Sequence, residues 1–253
     1  MQNNKREKII EVKNFTAAYG DNVVIDDISF DIYRGEIFVI LGGSGCGKST
    51  LLKHIIGLYS PKTGSIKIKG QDIVTANVEE KLEILKNIGV TYQSGALFGS
   101  MTLMQNLCVP LEEYTDFPES VRESIALMKL KLVGLGEYAH HMPSEVSGGM
   151  QKRAAVARAI VLNPDILFLD EPSAGLDPIT GDSLDNLILR LAKDVGITCV
   201  IVSHELPSIY KVADRVVMLD KARKKIVAEG KPAELRDNSP DTWVRNFFNR
   251  ISE

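Results

Sequence analysis

Eight consecutive residues set the first chemical possibility. Gly42-Gly43-Ser44-Gly45-Cys46-Gly47-Lys48-Ser49 fits the pattern G-x-x-x-x-G-K-[ST], placed after an apolar run and ahead of a helical one. Glycines let a backbone curl around an anion with its N–H groups turned inward, in conformations that a side chain obstructs. A helix starting near Lys48 adds the positive end of its dipole. In that arrangement Lys48 reaches the β- and γ-phosphates of a nucleotide and the Ser49 hydroxyl holds Mg2+, with Thr50 grouped beside them. The competing reading is a glycine-rich turn that binds nothing. At the ~7% usage of glycine the pattern arises by chance in roughly one such chain per hundred, so its neighbours must decide.

Two further groups weigh in. Asp170-Glu171-Pro172 follows the apolar run ILFL, which puts two carboxylates at the carboxyl end of a buried strand, the edge where α/β sheets bind ligands. Asp170 is placed to position Mg2+ through its water shell, and Glu171 to polarise a water attacking the γ-phosphate. Alone, the pair would read as an acidic turn capping the next helix. Val146-Ser147-Gly148-Gly149-Met150, followed by Gln151-Lys152-Arg153 and an Ala-rich helix, forms a second anion-binding helix start. One nucleotide needs one phosphate loop. A head-to-tail pair of chains, with the SGG of each facing the loop of the other across ATP, uses both halves in closed two-fold symmetry. Taken alone, SGG would be a plain helix cap.

The elements that must carry these groups are legible in the apolar pattern. IFVIL at 37–41, ILFL at 166–169 and CVIV at 199–202 are apolar on both faces, as central strands of a covered parallel sheet must be. Alternation at Ile28, Phe30 and Ile32, and again at Ile66 and Ile68, predicts strands with one buried face. Helical spacing appears at Leu51, Leu52, Ile55 and Ile56, at Leu184, Leu187, Ile188 and Leu191, and around Ala154–Ile160. The stretch 94–160 lies between sheet strands and reads as an inserted helical subdomain. The whole chain, 1–253, reads as one α/β domain, with a tail helix over 238–253.

Composition limits the function classes. The chain has 253 residues and a formal net charge of −3, ordinary for a globular protein and against nucleic acid as the main partner. Its longest apolar run, Ile37–Leu41, is far short of the ~20 residues of a spanning helix. The amino-terminal MQNNKREK lacks the apolar core of a secretory signal. Cys46, Cys108 and Cys199 are scattered and odd in number, as expected of reduced cytosolic thiols.

With these motifs in this order, the chain resembles the nucleotide-binding subunit of ABC transporters from about residue 9 to 237. The resemblance implies a P-loop NTPase core of the ABC ATPase type, with an amino-terminal antiparallel β subdomain and the helical insertion. It implies ATP hydrolysis, ATP and Mg2+ as ligands, a homodimer, and a multi-spanning permease partner at the cytoplasmic face of the inner membrane. Tyr19 then matches the aromatic that stacks on adenine, with a packed strand-end tyrosine as the lesser alternative. Gln93 in VTYQ matches the glutamine that senses Mg2+ and water. The loop Ser173–Asp177 matches the segment by which two subunits touch. His204 in IVSHE matches the histidine on the γ-phosphate. Val146 and Met150 depart from the usual LSGGQ, but Ser147 and the glycines are intact.

SGGMQKR, QSGALF at 93–98, Pro110-Leu111 and GLDPI at 175–179 are similar to the ATPase of Mla/Mce-type phospholipid transport systems. That resemblance implies lipid movement between inner and outer membranes, with a periplasmic Mce-type protein and, in some members, a small cytosolic regulatory subunit. An importer of amino acids or other small solutes is the alternative, and a soluble ABC ATPase of iron–sulfur cluster assembly a further one. Phe98, with Met101 and Met104 nearby, fits a groove for a partner helix, against the alternative that Leu97 and Phe98 belong to the core. Arg223-Lys224-Lys225 reads as a solvated hairpin, and His140-His141 as too isolated for a metal site. Trp243, Phe247, Phe248 and Ile251 form an apolar stripe whose default is packing on its own domain, with a partner groove next.

Overall fold

Side chains that alternate along a strand divide the core into two layers, and the central strands show it residue by residue. Along Ile37–Gly42, the side chains of Ile37, Val39 and Leu41 enter one apolar cluster, while Phe38 and Ile40 enter another. Cys199 and Ile201 join the first cluster, and Val200 and Val202 the second. A strand covered on both faces cannot alternate with polar residues, which explains the continuous apolar runs.

The computed structural model describes residues 6–251. The first five residues of the amino terminus and the last two of the 238–253 tail lie outside the described residues. In chain order come β1 (Lys8–Tyr19), β2 (Asn22–Tyr33), β3 (Ile37–Gly42), α1 (Lys48–Ile55), β4 (Thr63–Ile68) and β5 (Gln71–Asp72). Then follow α2 (Val78–Leu85), β6 (Ile88–Thr91), α3 (Leu103–Tyr114), α4 (Glu119–Leu132) and α5 (Gly148–Ala159). The remainder is β7 (Ile166–Asp170), α6 (Pro178–Lys193), β8 (Thr198–Val202), α7 (Leu206–Val212), β9 (Arg215–Leu219), β10 (Ile226–Gly230), α8 (Pro232–Asn238) and α9 (Thr242–Asn249).

The strands form two sheets. β2-β1-β4-β5 is antiparallel; β10-β9-β3-β8-β7-β6 is parallel except for the β9–β10 hairpin. The first sheet and α1 cover one face of the second around Phe15, Ile25 and Phe38. On the other face lie α3 to α7, so the helical insertion shares its core with the sheet. Arg223-Lys224-Lys225 occupies the β9–β10 turn, as its polarity indicates.

The tail helix is shorter than the 238–253 span. It is α9, begun by the Asp241 cap and closed by Arg250 in a left-handed conformation, with α8 as a separate helix before it. Val244 and Phe248 are buried, and Trp243 and Phe247 pack beside them, so this stripe lies on its own domain. Ile251 does not join it and is 58% exposed.

Candidate active site

Register brings the sequence motifs to one edge. Ile40 pairs with Val202, Val202 with Asp170, and Leu169 with Thr91, across the parallel strands β3, β8, β7 and β6. The residues just past these ends are the Gly42–Ser49 loop, His204, Glu171 and Gln93. Parallel strands point all of them to the same carboxyl edge of the sheet.

The loop enters α1 through Gly47, whose φ of 103° lies in the left-handed region, and α1 has no side-chain cap and no acidic residue in its first turn. Its first N–H groups therefore have no competing acceptor from a cap, the condition for an anion site. A Cβ on Gly47 would lie 2.9 Å from Ile25 Cγ1, so β2 leaves no room for one. Cys46 turns its side chain into the core, and burial pushes its thiol pKa up. Only its backbone can therefore serve a ligand. Lys48 Nζ donates to the carbonyls of Gly42 at 2.9 Å and Gly43 at 3.2 Å, inside the loop it would serve. Ser49 is exposed beside it. Tyr19, at the end of β1, is 52% exposed, with its hydroxyl 3.3 Å from Thr50 Oγ1 and its ring edge-on to Tyr59.

Across the edge, Asp170 Oδ1 and Glu171 Oε2 are buried without hydrogen-bond partners. Burial raises the Asp170 pKa, the neighbouring Glu171 charge adds to it, and Lys53 and Lys48 oppose it. Glu171 sits at φ 47°, uncommon for a side-chain-bearing residue. Its N–H is bonded to Val202 O at 2.8 Å. Its Oε1 lies 2.8 Å from His204 Nδ1, and the His204 side chain is 61% exposed. The arrangement can hold a phosphate chain, offer hard oxygen donors to a divalent cation, and present a carboxylate to a water. Gln93 is exposed in the loop after β6.

The Ser147-Gly148-Gly149 signature stands apart, at the start of α5, the signature helix. Ser147 caps α5, its Oγ accepting the Met150 N–H at 3.3 Å. Gly149 is buried where a Cβ would come 2.2 Å from Thr180 Cγ2, so close packing against α6 demands glycine there. Gly148 is exposed. Asp177 caps α6, accepting the N–H groups of Ile179 and Thr180 at 3.1 Å each. Hydrogen bonding from the Thr180 side chain first, and from these N–H groups after it, holds its carboxyl below the usual range. The Asp-Pro pair at 177–178 carries that cap in its sequence, since Asp favours the cap and Pro the first helical position.

Sequence reasoning missed Asn106 and Arg158. Asn106 is 0% exposed and binds the Phe98 N–H and the carbonyls of Phe98, Met101 and Thr102. Arg158 donates to the carbonyls of Gly95 and Ala96. Together they fix the segment after Gln93. The only local signal was the capping box of Thr102 and Gln105, which marks where α3 starts.

The model of the ABC transporter family matches residues 25–174. The chain is 42% identical over 98% of its length to the intermembrane phospholipid transport system ATP-binding protein MlaF of Haemophilus influenzae, covering 92% of that protein. It is 44% identical over 95% of its length to the probable ribonucleotide transport ATP-binding protein mkl of Mycobacterium leprae, covering 68% of it. Among solved structures, the dimeric post-hydrolysis state of the ATP-binding cassette MJ0796 bound to ADP and Pi superposes with a TM-score of 0.79 at 30% identity. That likeness covers 88% of this chain and 98% of the other.

Proposed function

We propose, given that this chain belongs to the ABC transporter family, that it binds and hydrolyses ATP to drive a membrane permease that moves phospholipid between inner and outer membranes. The observation that carries the cargo is the likeness to MlaF, which spans 98% of this chain and 92% of that protein. No helix among the described residues is long and apolar enough to cross a membrane. In the proposed assembly the chain is held at the cytoplasmic face of the inner membrane by its permease. A periplasmic Mce-type protein and a small regulatory subunit complete the proposed assembly.

ATP lies between two copies of the chain, on the Gly42–Thr50 loop of one and against Ser147 and Gly148 of the other. Tyr19 stacks on the base. Lys48 exchanges the two loop carbonyls for β- and γ-phosphate oxygens. Asp170, with its partnerless buried oxygen, Ser49 and Gln93 fit Mg2+, which when bound neutralises charge on the phosphates. Glu171 takes a proton from the attacking water as its oxygen bonds to the γ-phosphorus and the bridging P–O bond to ADP breaks. His204 holds Glu171 Oε1 and faces the γ-phosphate. Asp177, by capping α6, fixes the 173–177 loop where the two copies meet.

The name of the mkl relative favours a second reading, with ribonucleotide as cargo. Reconstitution with the co-expressed permease in liposomes decides between them. ATP-driven movement of a fluorescent phospholipid is the expected result. Movement of a labelled ribonucleotide with none of phospholipid would overturn the lipid assignment.

A further inference from the structure

Lys152 has no place in the chemistry above, yet it is built into the machinery. It lies three residues after Gly149 on α5, so both residues share one helical face. That face packs on the catalytic turn of its own chain: Gly149 lies against Thr180 and Leu176, and the Lys152 ammonium reaches over residues 171–174. Its Nζ donates to Ala174 O at 2.5 Å and to Glu171 O at 3.4 Å. The turn is already closed by Ala174 N–H on Glu171 O at 3.2 Å, and the ammonium joins the carbonyls of its two ends.

This placement is costly. Burial lowers the Lys152 pKa, since an ammonium taken from water loses hydration that carbonyls replace in part. An apolar side chain would fill the same space without that loss. What the ammonium adds is a fixed carbonyl on a residue held at φ 47°, a conformation that persists only where its surroundings over-determine it. Val202 holds the Glu171 N–H, His204 its carboxylate, and Lys152 its carbonyl.

We propose that Lys152 is a positioning residue for Glu171 of the same chain, reaching from the signature helix to set the direction of the carboxylate. The proposal rests on the reading of Glu171 as the base in an ATP-sandwiched dimer. It makes a directional claim. The signature helix of each subunit faces the nucleotide of its partner, whereas its Lys152 serves the site on its own side.

Mixed dimers of the full chain test that direction, with a different affinity tag on each subunit so that only mixed pairs are recovered. One subunit carries Glu171→Gln, leaving a single working site, the one with the intact Glu171. Lys152→Met is then placed either on the subunit with intact Glu171 or on the other subunit, whose Ser147 faces the working nucleotide. The first placement should lower turnover roughly ten- to hundredfold, the scale expected for a misdirected catalytic group. The second should change it by less than about twofold. Lys152→Arg in the first placement should restore most of the rate, because a guanidinium reaches both carbonyls. Equal losses in both placements, a loss only in the second, or no loss in the first would overturn the proposal. If Lys152→Met does not fold, Lys152→Gln is read by the same comparison. A pair with Glu171→Gln on both subunits that still turned over normally would sink the catalytic reading instead.

Discussion

α1 begins behind a glycine, α5 begins on two glycines behind a serine, and both offer a helix N-terminus to phosphate. α1 starts from Gly47 with no side-chain cap, so its amides are held for a ligand. α5 starts from Ser147, whose hydroxyl already accepts the Met150 N–H, and its Gly149 is committed to contact with Thr180. The first corner is a whole cradle with a lysine inside it. The second offers the Gly148 amide and the remaining hydrogen of the Ser147 hydroxyl. On the proposed reading, this difference is why one chain can hold a nucleotide and two are needed to enclose it.

The comparison is broken most severely at the complete corner. Glu171→Gln preserves shape but removes the carboxylate proposed as the base, so hydrolysis should fall by roughly 10²–10⁴. Nucleotide binding should survive and trap an ATP-bound dimer, visible by sedimentation. Near-normal turnover would remove Glu171 from the chemistry. At the partial corner, Ser147→Arg should leave each subunit able to bind ATP through Lys48 while abolishing ATP-induced pairing. Sedimentation in a Glu171→Gln background reads this directly, and an unchanged dimer would end the two-corner account.

A smaller effect separates the corners by electrostatics. Asp170 is buried beside Glu171 with its pKa raised, so the folded chain binds that proton more tightly than the unfolded chain does. The sign follows: below the ordinary aspartate range both states are protonated and nothing is lost. As pH rises through the raised pKa, ionisation costs the folded state stability. Asp170→Asn should therefore raise the melting temperature of nucleotide-free protein at neutral pH and lose Mg2+-dependent hydrolysis. Its stability should also fall less between acid and neutral pH. A variant that melts lower at neutral pH would contradict the burial argument. Ser147, uncharged and exposed, has no such cost to relieve.

How much of this was readable from sequence depended on whether one residue or a meeting of residues carried the signal. Gly47, Lys48 and Ser49 announce themselves because loop conformation and chemistry fall within eight positions. The central strands were legible because two-sided burial forces apolar runs. β1 was not read: it pairs on both sides with register shifts near Val12–Ala18, and its Asn14, at φ 48°, interrupts the alternation. α2 is amphipathic but brief, with Ile84 its buried side chain. Asn106 reads as an ordinary helical polar residue until the fold brings four backbone groups to it. Lys152 is in sequence one of three polar residues after SGGM, and its carbonyl partners lie about twenty positions away.

The segment after Gln93 gives the smallest effect on the isolated chain and the sharpest separation of chemistry from coupling. Phe98 is 49% exposed, its ring 5.6 Å from the Arg158 guanidinium, while its N–H and carbonyl are both held by Asn106. The core alternative therefore applies to Leu97, which packs partly on the cluster, and not to Phe98. An exposed aromatic on a backbone pinned from beneath is a rigid anchor, the kind that contributes strongly to interfaces. Phe98→Asp removes the ring and leaves the Asn106 bonds in place, and the new carboxylate would lie beside Arg158. Surface changes of this kind alter stability by about 0.5 kcal/mol or less, a melting shift of about 1–2 °C in a domain of this size. ATP binding and basal hydrolysis should match the parent, and co-purification with the permease should be lost. Asn106→Ala supplies the contrast: it strips four backbone partners at once and should lower both the melting temperature and the association. If Phe98→Asp keeps its permease, the segment is a rigid surface loop and the docking site lies elsewhere.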